Sequence, residues 1–599
     1  MSLRGRKPAR GAARPVVLCL TFLAVATACK DGAGAADSES GDAGDDDGGD
    51  GGDDGPPIPP VGLVCEGSDE TDVSGADATI SGGDCNETAI AAAVEAGGIV
   101  VLDCPEPVVF TREMVVTSDT VIDGSETTVL DGGGTTRLLT KRSGAWLHLQ
   151  HITLQNGQAP EALGDGSVTQ ANWFEWAGGA INAQCHDNAS AVGGGLTGKN
   201  LTCRDNATGS HTRDPETQQI LDTGNGGCAY LFACEFQCDE CEFSNNRATN
   251  GGAIGALGAK AKLTNSTCVG NEARRDESTN DNQGCGGCWC QDGTETGPGE
   301  DAQNFVHLCG NVFANNRADD NGGAVSLFYR QQTHTSIRFE RNSCQGNESG
   351  LSGEADKGGG CFYTFVDPDT KIPWAPDVGP DEFVFSGNAV YENSTHHLGG
   401  GAALFNIWNT AVRFDNNVFL RNEVRTTDQS SGGGGALALV GTFFDLEHNS
   451  FVGNTAANSI GGVIQGAGGS ALRNNLFVNN SSPIPSNGPS ISMAEHVNWV
   501  LDETDDGNDM GFLVFASGGN LFFPVRADPG GERPTPGAAV TEDAQVGMLV
   551  TDDGFPPYLP IPNGSPAVDA GVPTMTVTHD MRGVPRDDAP DIGAFEAMR

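Results

Sequence analysis

The sequence predicts an all-β fold of the solenoid kind, a parallel β-helix, and three observations carry that expectation. Short runs rich in Val, Ile and Thr, such as IVVLDC from 99, MVVT from 114 and TVID from 120, follow one another with Gly and Asp between them and no helices. From about residue 236 a pattern apolar-x-x-Asn-x-apolar-x-x-Asn recurs in register. Paired glycines with a small or apolar residue precede its copies, as in GGAI at 251, GGAV at 322, GGGAAL at 399 and GGVI at 461.

The chain opens with a segment that sets the compartment. Arg4, Arg6, Lys7, Arg10 and Arg14 precede an apolar run over 16–28, which ends in Ala-Thr-Ala before Cys29. A run of about 13 residues is too short for a membrane-spanning helix and suits the core of a secretion signal. These residues resemble a bacterial lipoprotein signal, which implies Cys29 as the lipidated first residue of the exported chain, attached to outer-membrane lipid. Residues 29–60 carry Asp, Gly and Ser with no large apolar side chain before Ile58, so they read as a disordered acidic tether. The tether lacks the fixed ligand order of a calcium loop. The whole chain has a formal charge of −47, and losing residues 1–28 takes it to −52. Such a chain repels nucleic acid, so no nucleic-acid partner is expected.

Residues 85–97 read as a helix that covers the first coil. Asp84 and Glu87 suit a capping box, Ile90 and Val94 share a face, and Gly97 with Gly98 ends it. The solenoid occupies 61–480, its repeats clearest over 175–480. Copies include Leu308, Asn311, Phe313, Asn316; Phe339, Asn342, Cys344, Asn347; Phe385, Asn388, Val390, Asn393; and Phe414, Asn417, Phe419, Asn422. Further copies run Leu446, Asn449, Phe451, Asn454 and Leu472, Asn475, Phe477, Asn480, with a looser one at Leu263, Ser266, Cys268, Asn271. Apolar positions point inward, and stacked coils about 4.8 Å apart pair in continuous parallel sheets. Asparagine tolerates left-handed corners and stacks into hydrogen-bonded ladders, and the glycines permit a sharp bend. The sequons at Asn206, Asn347, Asn393 and Asn480 fall on repeat asparagines and read as turn residues rather than glycan acceptors.

The GGA[ILV] and FxxN pair resembles the repeats of chlamydial polymorphic outer-membrane proteins and related bacterial surface proteins. That resemblance implies a right-handed, single-stranded parallel β-helix and an adhesin-like role at the cell surface. The chain departs from it in ending at AFEAMR without an alternating barrel region, and in placing cysteines at repeat positions. Within 481–599, NGSPAVDAG at 563, HDMRGVPR at 579 and DIGAFE at 591 resemble the choice-of-anchor Q region of bacterial β-helix proteins. This part is expected to cover the open edge of the last coil.

Beyond Cys19 and Cys29, 16 cysteines lie between Cys65 and Cys361, an even number that suggests disulfides in an exported protein. Cysteine replaces the second apolar repeat position at Cys203, Cys268 and Cys344 and follows Gly-Gly at Cys228, Cys288 and Cys361. These substitutions bracket the three longest loops, so Cys203 to Cys228, Cys268 to Cys288 and Cys344 to Cys361 are expected to pair, with Cys85 to Cys104 around the helix. Cys238 and Cys241 fall on repeat positions, which explains their Cys-x-x-Cys spacing without a metal. A zinc site would need a second pair, which Cys285 and Cys288 could offer, with Cys234 and Cys290 as extra ligands. Cys65, Cys185, Cys234, Cys238, Cys241, Cys285, Cys290 and Cys309 receive no partner from spacing alone.

For function, the candidate binding aromatics are Trp173, Trp176, Trp289 and Trp374, placed where loops leave a rigid scaffold. A glycan or a cell-surface protein is the expected partner of a monomeric, lipid-anchored binding protein. The alternative is a polysaccharide lyase or hydrolase whose candidate residues are Asp415, Glu447 and His448, outward positions in successive repeats. A structural surface role is third. No cofactor is expected, a calcium ion on the paired carboxylates being the alternative. His148 and His151, at odd spacing, are expected on opposite faces of one strand.

Overall fold

In this computed structural model the described residues are 64–597, except 143, 162–167, 170–171, 188–189, 192, 214–219, 222, 276–282, 294–303, 331–334, 352–357, 368–381, 408–409, 427–432, 458–462, 468–469, 482–490, 494–496, 500–513, 524–537, 541 and 552–555. The signal, Cys29, the tether and Trp374 lie outside them. One coil illustrates the rest: Glu235–Asp239 belongs to a first sheet, Glu242–Ser244 to a second, Arg247–Ala248 to a short sheet, and Ile254–Leu257 to a third. The first and second sheets each hold 14 strands, the third 13 and the short sheet 7, with neighbours one coil apart. Pairing is parallel along the stack, as in Gln237 opposite Lys262 opposite His307. The chain returns to each sheet by way of the others, making a right-handed parallel β-helix.

The repeat asparagines do not sit in the left-handed corners. Those corners are taken by the residue just before each of them: Asn245, Asn315, Asn416, Asn474 and Asn479 have φ between 53° and 55°. The repeat asparagines turn inward and stack. From Asn206 through Asn246, Asn271, Asn316, Asn347, Asn393, Asn422 and Asn454 to Asn480, each backbone N–H and each carboxamide Nδ2 donates to the next Oδ1 at 2.8–3.2 Å. Nδ2 also donates to a backbone carbonyl one coil back, as Asn316 does to Cys268 at 2.9 Å. A second ladder runs Ser266, Asn311, Asn342, Asn388, Asn417, Asn449, Asn475, Asn520. Asparagine suits the site because one side chain satisfies buried backbone donors and acceptors where the sheets break at a bend. It also leaves Asn206, Asn347, Asn393 and Asn480 buried, unsuited to glycan attachment.

The two glycines of each pair have different jobs. Gly251 has φ 64°, and the next residue, Gly252, lies so close to the following coil that a Cβ there would sit 2.1 Å from the Gly287 carbonyl oxygen. One glycine makes the bend and the other lets neighbouring coils touch.

Inside, phenylalanines stack along the axis. Phe419, Phe451, Phe477 and Phe522 have successive ring centroids at 5.1, 5.0 and 4.7 Å with planes within 6°. Trp289 belongs to this core. It pairs with Ile254 and Val325 in the third sheet, is 0% exposed and packs on Phe236.

The helix is Glu87–Ala96, with Ile90, Ala91 and Val94 buried against the first coils. Its cap is Asn86, whose side chain accepts from Ala89 N–H at 3.0 Å, rather than an Asp84 and Glu87 box. Glu87 instead accepts from the Thr111 and Arg112 backbone.

The chain reaches the first coil by a detour. Residues 64–72 run along the corner beside the first sheet. Cys65 exchanges hydrogen bonds with the Asn265 side chain, Ser68 N–H donates to Asp239, and Thr71 exchanges hydrogen bonds with Gln150. His151 is not on a strand face at all: it occupies the corner at φ 53° and its Nε2 meets Glu70 at 3.2 Å.

The C-terminal region was expected over the end of the last coil, and its described part lies on a flank instead. Ala389, Tyr391, Val418, Leu420, Leu476, Val478 and Leu521, outward on the second sheet, pack with Tyr558, Leu559, Ile561, Ala567, Ile592 and Phe595. An outward apolar strip of that length needs a cover. The motif residues near the C-terminus hold the cover together: Arg586 Nη1 donates to Glu596 at 2.6 Å and Arg582 Nη2 to Asp580 at 2.6 Å.

Eight disulfides form, and every cysteine from Cys65 to Cys361 is paired. Cys85–Cys104, Cys203–Cys228, Cys268–Cys288 and Cys344–Cys361 are the pairs that spacing predicts. The others are Cys65–Cys309, Cys185–Cys234, Cys238–Cys241 and Cys285–Cys290. The Cys-x-x-Cys is thus bonded to itself within one coil. A chain with this many disulfides matures in an oxidising compartment, which makes it an extracellular protein. No helix among the described residues is long and apolar enough to cross a membrane.

Candidate functional site

Asp415 and Glu447 are direct neighbours in the first sheet, and His448 follows at the corner with φ 56°. They were expected on an open surface, and the C-terminal segment covers them. Their exposures are 6%, 5% and 0%. Asp415 accepts from Arg413 at 2.9 Å and Ser386 at 3.1 Å, Glu447 accepts from Thr576 at 2.6 Å, and His448 Nε2 lies 2.9 Å from the Asn474 carboxamide nitrogen. Burial, reinforced by the nearby Arg586 charge, holds the His448 imidazole well below its ordinary range, so the ring stays neutral. In this arrangement the three residues form a docking seat and are closed to a polymer. Asp415 and Glu447 lie on the outward side of their strands and His448 at the corner after them, but a cover arriving from 129 residues downstream, as Thr576 does, has no local signal.

The aromatic candidates divide. Trp289 is in the core and faces no partner. Trp173 and Trp176 lie on the short helix Trp173–Trp176, where Trp173 packs against Tyr230 and Phe232 at 6.1 and 5.9 Å. Both are half-buried, and Trp173 covers the third sheet.

The open part of the first sheet presents a different set. Along its middle outward row, in register, lie His148, Thr197, Gln237, Lys262, His307, Arg338, Val384 and Arg413. Neighbours in such a row are about 4.8 Å apart. Two aromatic rings stand beside it: Trp146 stacks on His148 at 5.8 Å with planes 8° apart, and Phe305 packs on His307 at 5.3 Å. His148 Nδ1 meets Thr197 Oγ1 at 2.7 Å.

The row is most crowded at its centre. His307 Nε2 meets Ser336 Oγ at 3.0 Å, and Ser336 Oγ–H donates to Glu382 Oε2 at 2.9 Å. Arg338 grips the same carboxylate, with Nε to Oε2 at 3.1 Å and Nη2 to Oε1 at 2.8 Å. Burial pushes the His307 pKa down to about 4, helped by the Arg338 and Lys262 charges and opposed by Glu382. Burial raises the Glu382 carboxyl, but hydrogen bonds from Ser336 and Arg338 outweigh it and leave the group below its usual range. Lys260 and Lys262 make no ion pair among the described residues.

Beside this face is a cleft of about 610 Å³ where the two terminal segments approach each other. Its lining includes Glu66 from the leading segment, His579 and Asp580 from the trailing one, and Glu340 and Arg341 beneath. The terminal segments therefore form one wall of the first-sheet face. No group of three or more metal-ligating side chains occurs among the described residues.

Of these row residues the sequence reading names only His148, and as one of two histidines on opposite faces of a strand, although a signal for the row exists. Gln237, Lys262, His307, Arg338 and Arg413 each immediately precede the first apolar residue of a repeat copy. In a strand that position points outward, so reading it down the copies spells out the row.

No protein-family model matches the sequence, and no curated protein matches it. Nine chains of solved structures do. One is a mannuronic acid specific polysaccharide family 6 lyase from human gut microbiota, at 10% identity and TM-score 0.29, covering 66% of this chain and 86% of that one. Another is pectate lyase Pel9A, at 12% identity and TM-score 0.25, covering 87% of this chain and 97% of that one. A third is PfbA, a surface adhesin of Streptococcus pneumoniae, at 10% identity and TM-score 0.26, covering 66% and 89%. Likeness at this level assigns this chain no activity.

Proposed function

We propose that this protein is a cell-surface binding protein, tethered through an acylated Cys29 and the acidic linker, that holds an extended glycan along the open face of its first sheet. The observation that carries the reading is the outward row from His148 to Arg413, polar or cationic at every coil but one, with Trp146 and Phe305 beside it. Sugars are bound by this combination of hydrogen-bonding groups and aromatic plates, and the stack of coils presents an outward side chain about every 4.8 Å along the row. A glycan array run beside an assay for new reducing or unsaturated ends tests it. Retention without turnover, lost on Trp146→Ala, is expected; a wild-type chain that retains no glycan refutes it. Detergent-phase partitioning that disappears in Cys29→Ala checks the anchor.

Cleavage of a polysaccharide on the same face is the second reading, supported by the hydrogen-bonded series His307, Ser336, Glu382 and Arg338. A neutral imidazole linked through a hydroxyl to a carboxylate is able to move a proton. Release of chain ends that vanishes in His307→Ala would favour it over simple binding.

A further inference from the structure

We infer that Lys262, His307 and Arg338 form a subsite for a carboxylate carried on a sugar, a uronic-acid residue, and that Glu382 fills this subsite in the free protein. The inference rests on the glycan-binding reading above and names the class of glycan.

Glu382 is held as an incoming carboxylate would be. Arg338 meets it side-on through Nη2 and Nε, at 2.8 and 3.1 Å, while its Nη1 lies 3.8 Å from Glu340, and the Ser336 hydroxyl donates a third hydrogen bond at 2.9 Å. That planar two-point grip is the way arginine recognises carboxylates. The Arg338 and Glu382 side chains are both 40% exposed, so solvent reaches the pair and weakens it. Exchanging one carboxylate for another on Arg338 costs little. What a ligand gains in addition is Lys262, which lies directly across His307 from Arg338 and has no ion-pair partner among the described residues. Lys260 is on the same strand, two residues earlier and on the same face. Phe305, packed on His307, supplies an apolar plate for the sugar ring that carries the carboxylate. In a chain of net charge −47, unpaired lysines beside a carboxylate-loaded arginine form a local exception to the repulsion that anions otherwise meet.

Affinity electrophoresis of the exported chain, in gels containing polygalacturonate, alginate, dextran sulfate or neutral dextran, tests this. Polyuronate should retard the wild type. Lys262→Met should weaken that retention about tenfold, the size of one lost charge-assisted contact. Glu382→Gln should strengthen it several-fold because the internal competitor loses its charge, and Lys262→Arg should restore it. Thermal melts unchanged from wild type show that the variants fold. If Lys262→Met retains polyuronate fully, or Glu382→Gln weakens it, the subsite is refuted. Equal retention by neutral dextran with no effect of either variant refutes the subsite and leaves the glycan reading standing. Equal retention by dextran sulfate shows attraction by charge alone and refutes the carboxylate. No retention by any glycan refutes the glycan reading itself.

Discussion

Replacing Asn347 by alanine removes one rung from the middle of an inner ladder. The side chain is 0% exposed and makes four hydrogen bonds. Its Oδ1 accepts from the Asn316 backbone N–H and Nδ2, and its Nδ2 donates to the Phe313 carbonyl and to Asn393 Oδ1, all at 2.9 Å. In the alanine variant Asn316 Nδ2 keeps its bond to the Cys268 carbonyl and Asn393 Oδ1 keeps the Asn347 backbone N–H. The Asn316 N–H and the Phe313 carbonyl lose the ladder bonds described here. Two buried backbone groups stripped in this way cost about 1–3 kcal/mol each, so a total of about 4 kcal/mol is expected. The assay is urea denaturation, with the unfolding rate at fixed urea as a second readout should refolding be incomplete. Asn315→Gly is the control, because Asn315 occupies the left-handed corner at φ 54°. Glycine meets that backbone requirement, so its effect should stay within about 0.5 kcal/mol. A cost below about 1 kcal/mol for Asn347→Ala, or an equal cost for Asn315→Gly, would refute the assignment of ladder and corner to different asparagines.

Three further outcomes are expected. Lys141 is wholly buried, its Nζ donating to the Gln184 carbonyl at 3.2 Å and lying 2.7 Å from Cys185 Sγ, and burial pulls its pKa from 10.5 down to about 8. The folded chain therefore releases this proton at lower pH than the unfolded chain, so wild-type stability should rise between pH 8 and 10.5; Lys141→Met should remove that rise and gain up to about 3 kcal/mol at pH 7, and equal pH slopes would refute it. Trp289→Ala should cost about 3–5 kcal/mol in denaturation, while Trp146→Ala should leave stability near wild type and reduce glycan retention; the reverse pattern would exchange their roles. Gly252→Ala forces a Cβ to within 2.1 Å of the Gly287 carbonyl oxygen and should cost more than about 2 kcal/mol or abolish soluble expression, whereas a neutral result would mean the coils part easily there.

How much was readable in advance depends on the distance over which each feature is decided. The Asn and Gly patterns are local, because each coil makes the same bends from its own residues. Even so, the pattern points to the wrong asparagine for the corner, since the left-handed residue is the variable one just before it: Asn245, Arg341, Glu392 or His448. Trp289 looks like a loop residue beside three cysteines, yet counting from its Gly-Gly puts it level with Ile254 and Val325, inside. The four disulfides that bracket loops of 17 to 25 residues follow from spacing, as Cys344 and Cys361 lie 17 positions apart. Cys65 and Cys309 are 244 residues apart and nothing near either one names the other.

The sequence by itself therefore determined the coil: which apolar repeat positions turn inward, near which residues the bends fall, and that successive copies stack into parallel sheets. Those properties repeat with the chain, and hydrophobic burial and backbone hydrogen bonding impose them at every turn alike. Only the tertiary structure decided which face stays open. The leading segment pinned by Cys65 and the trailing segment docked on Asn416, Glu447 and Asn474 cover the corner and close off Asp415 and His448. The row through Lys262, His307 and Arg338 is left facing outward. Contacts of that kind join residues about a hundred or more positions apart and occur once each, so no periodicity announces them.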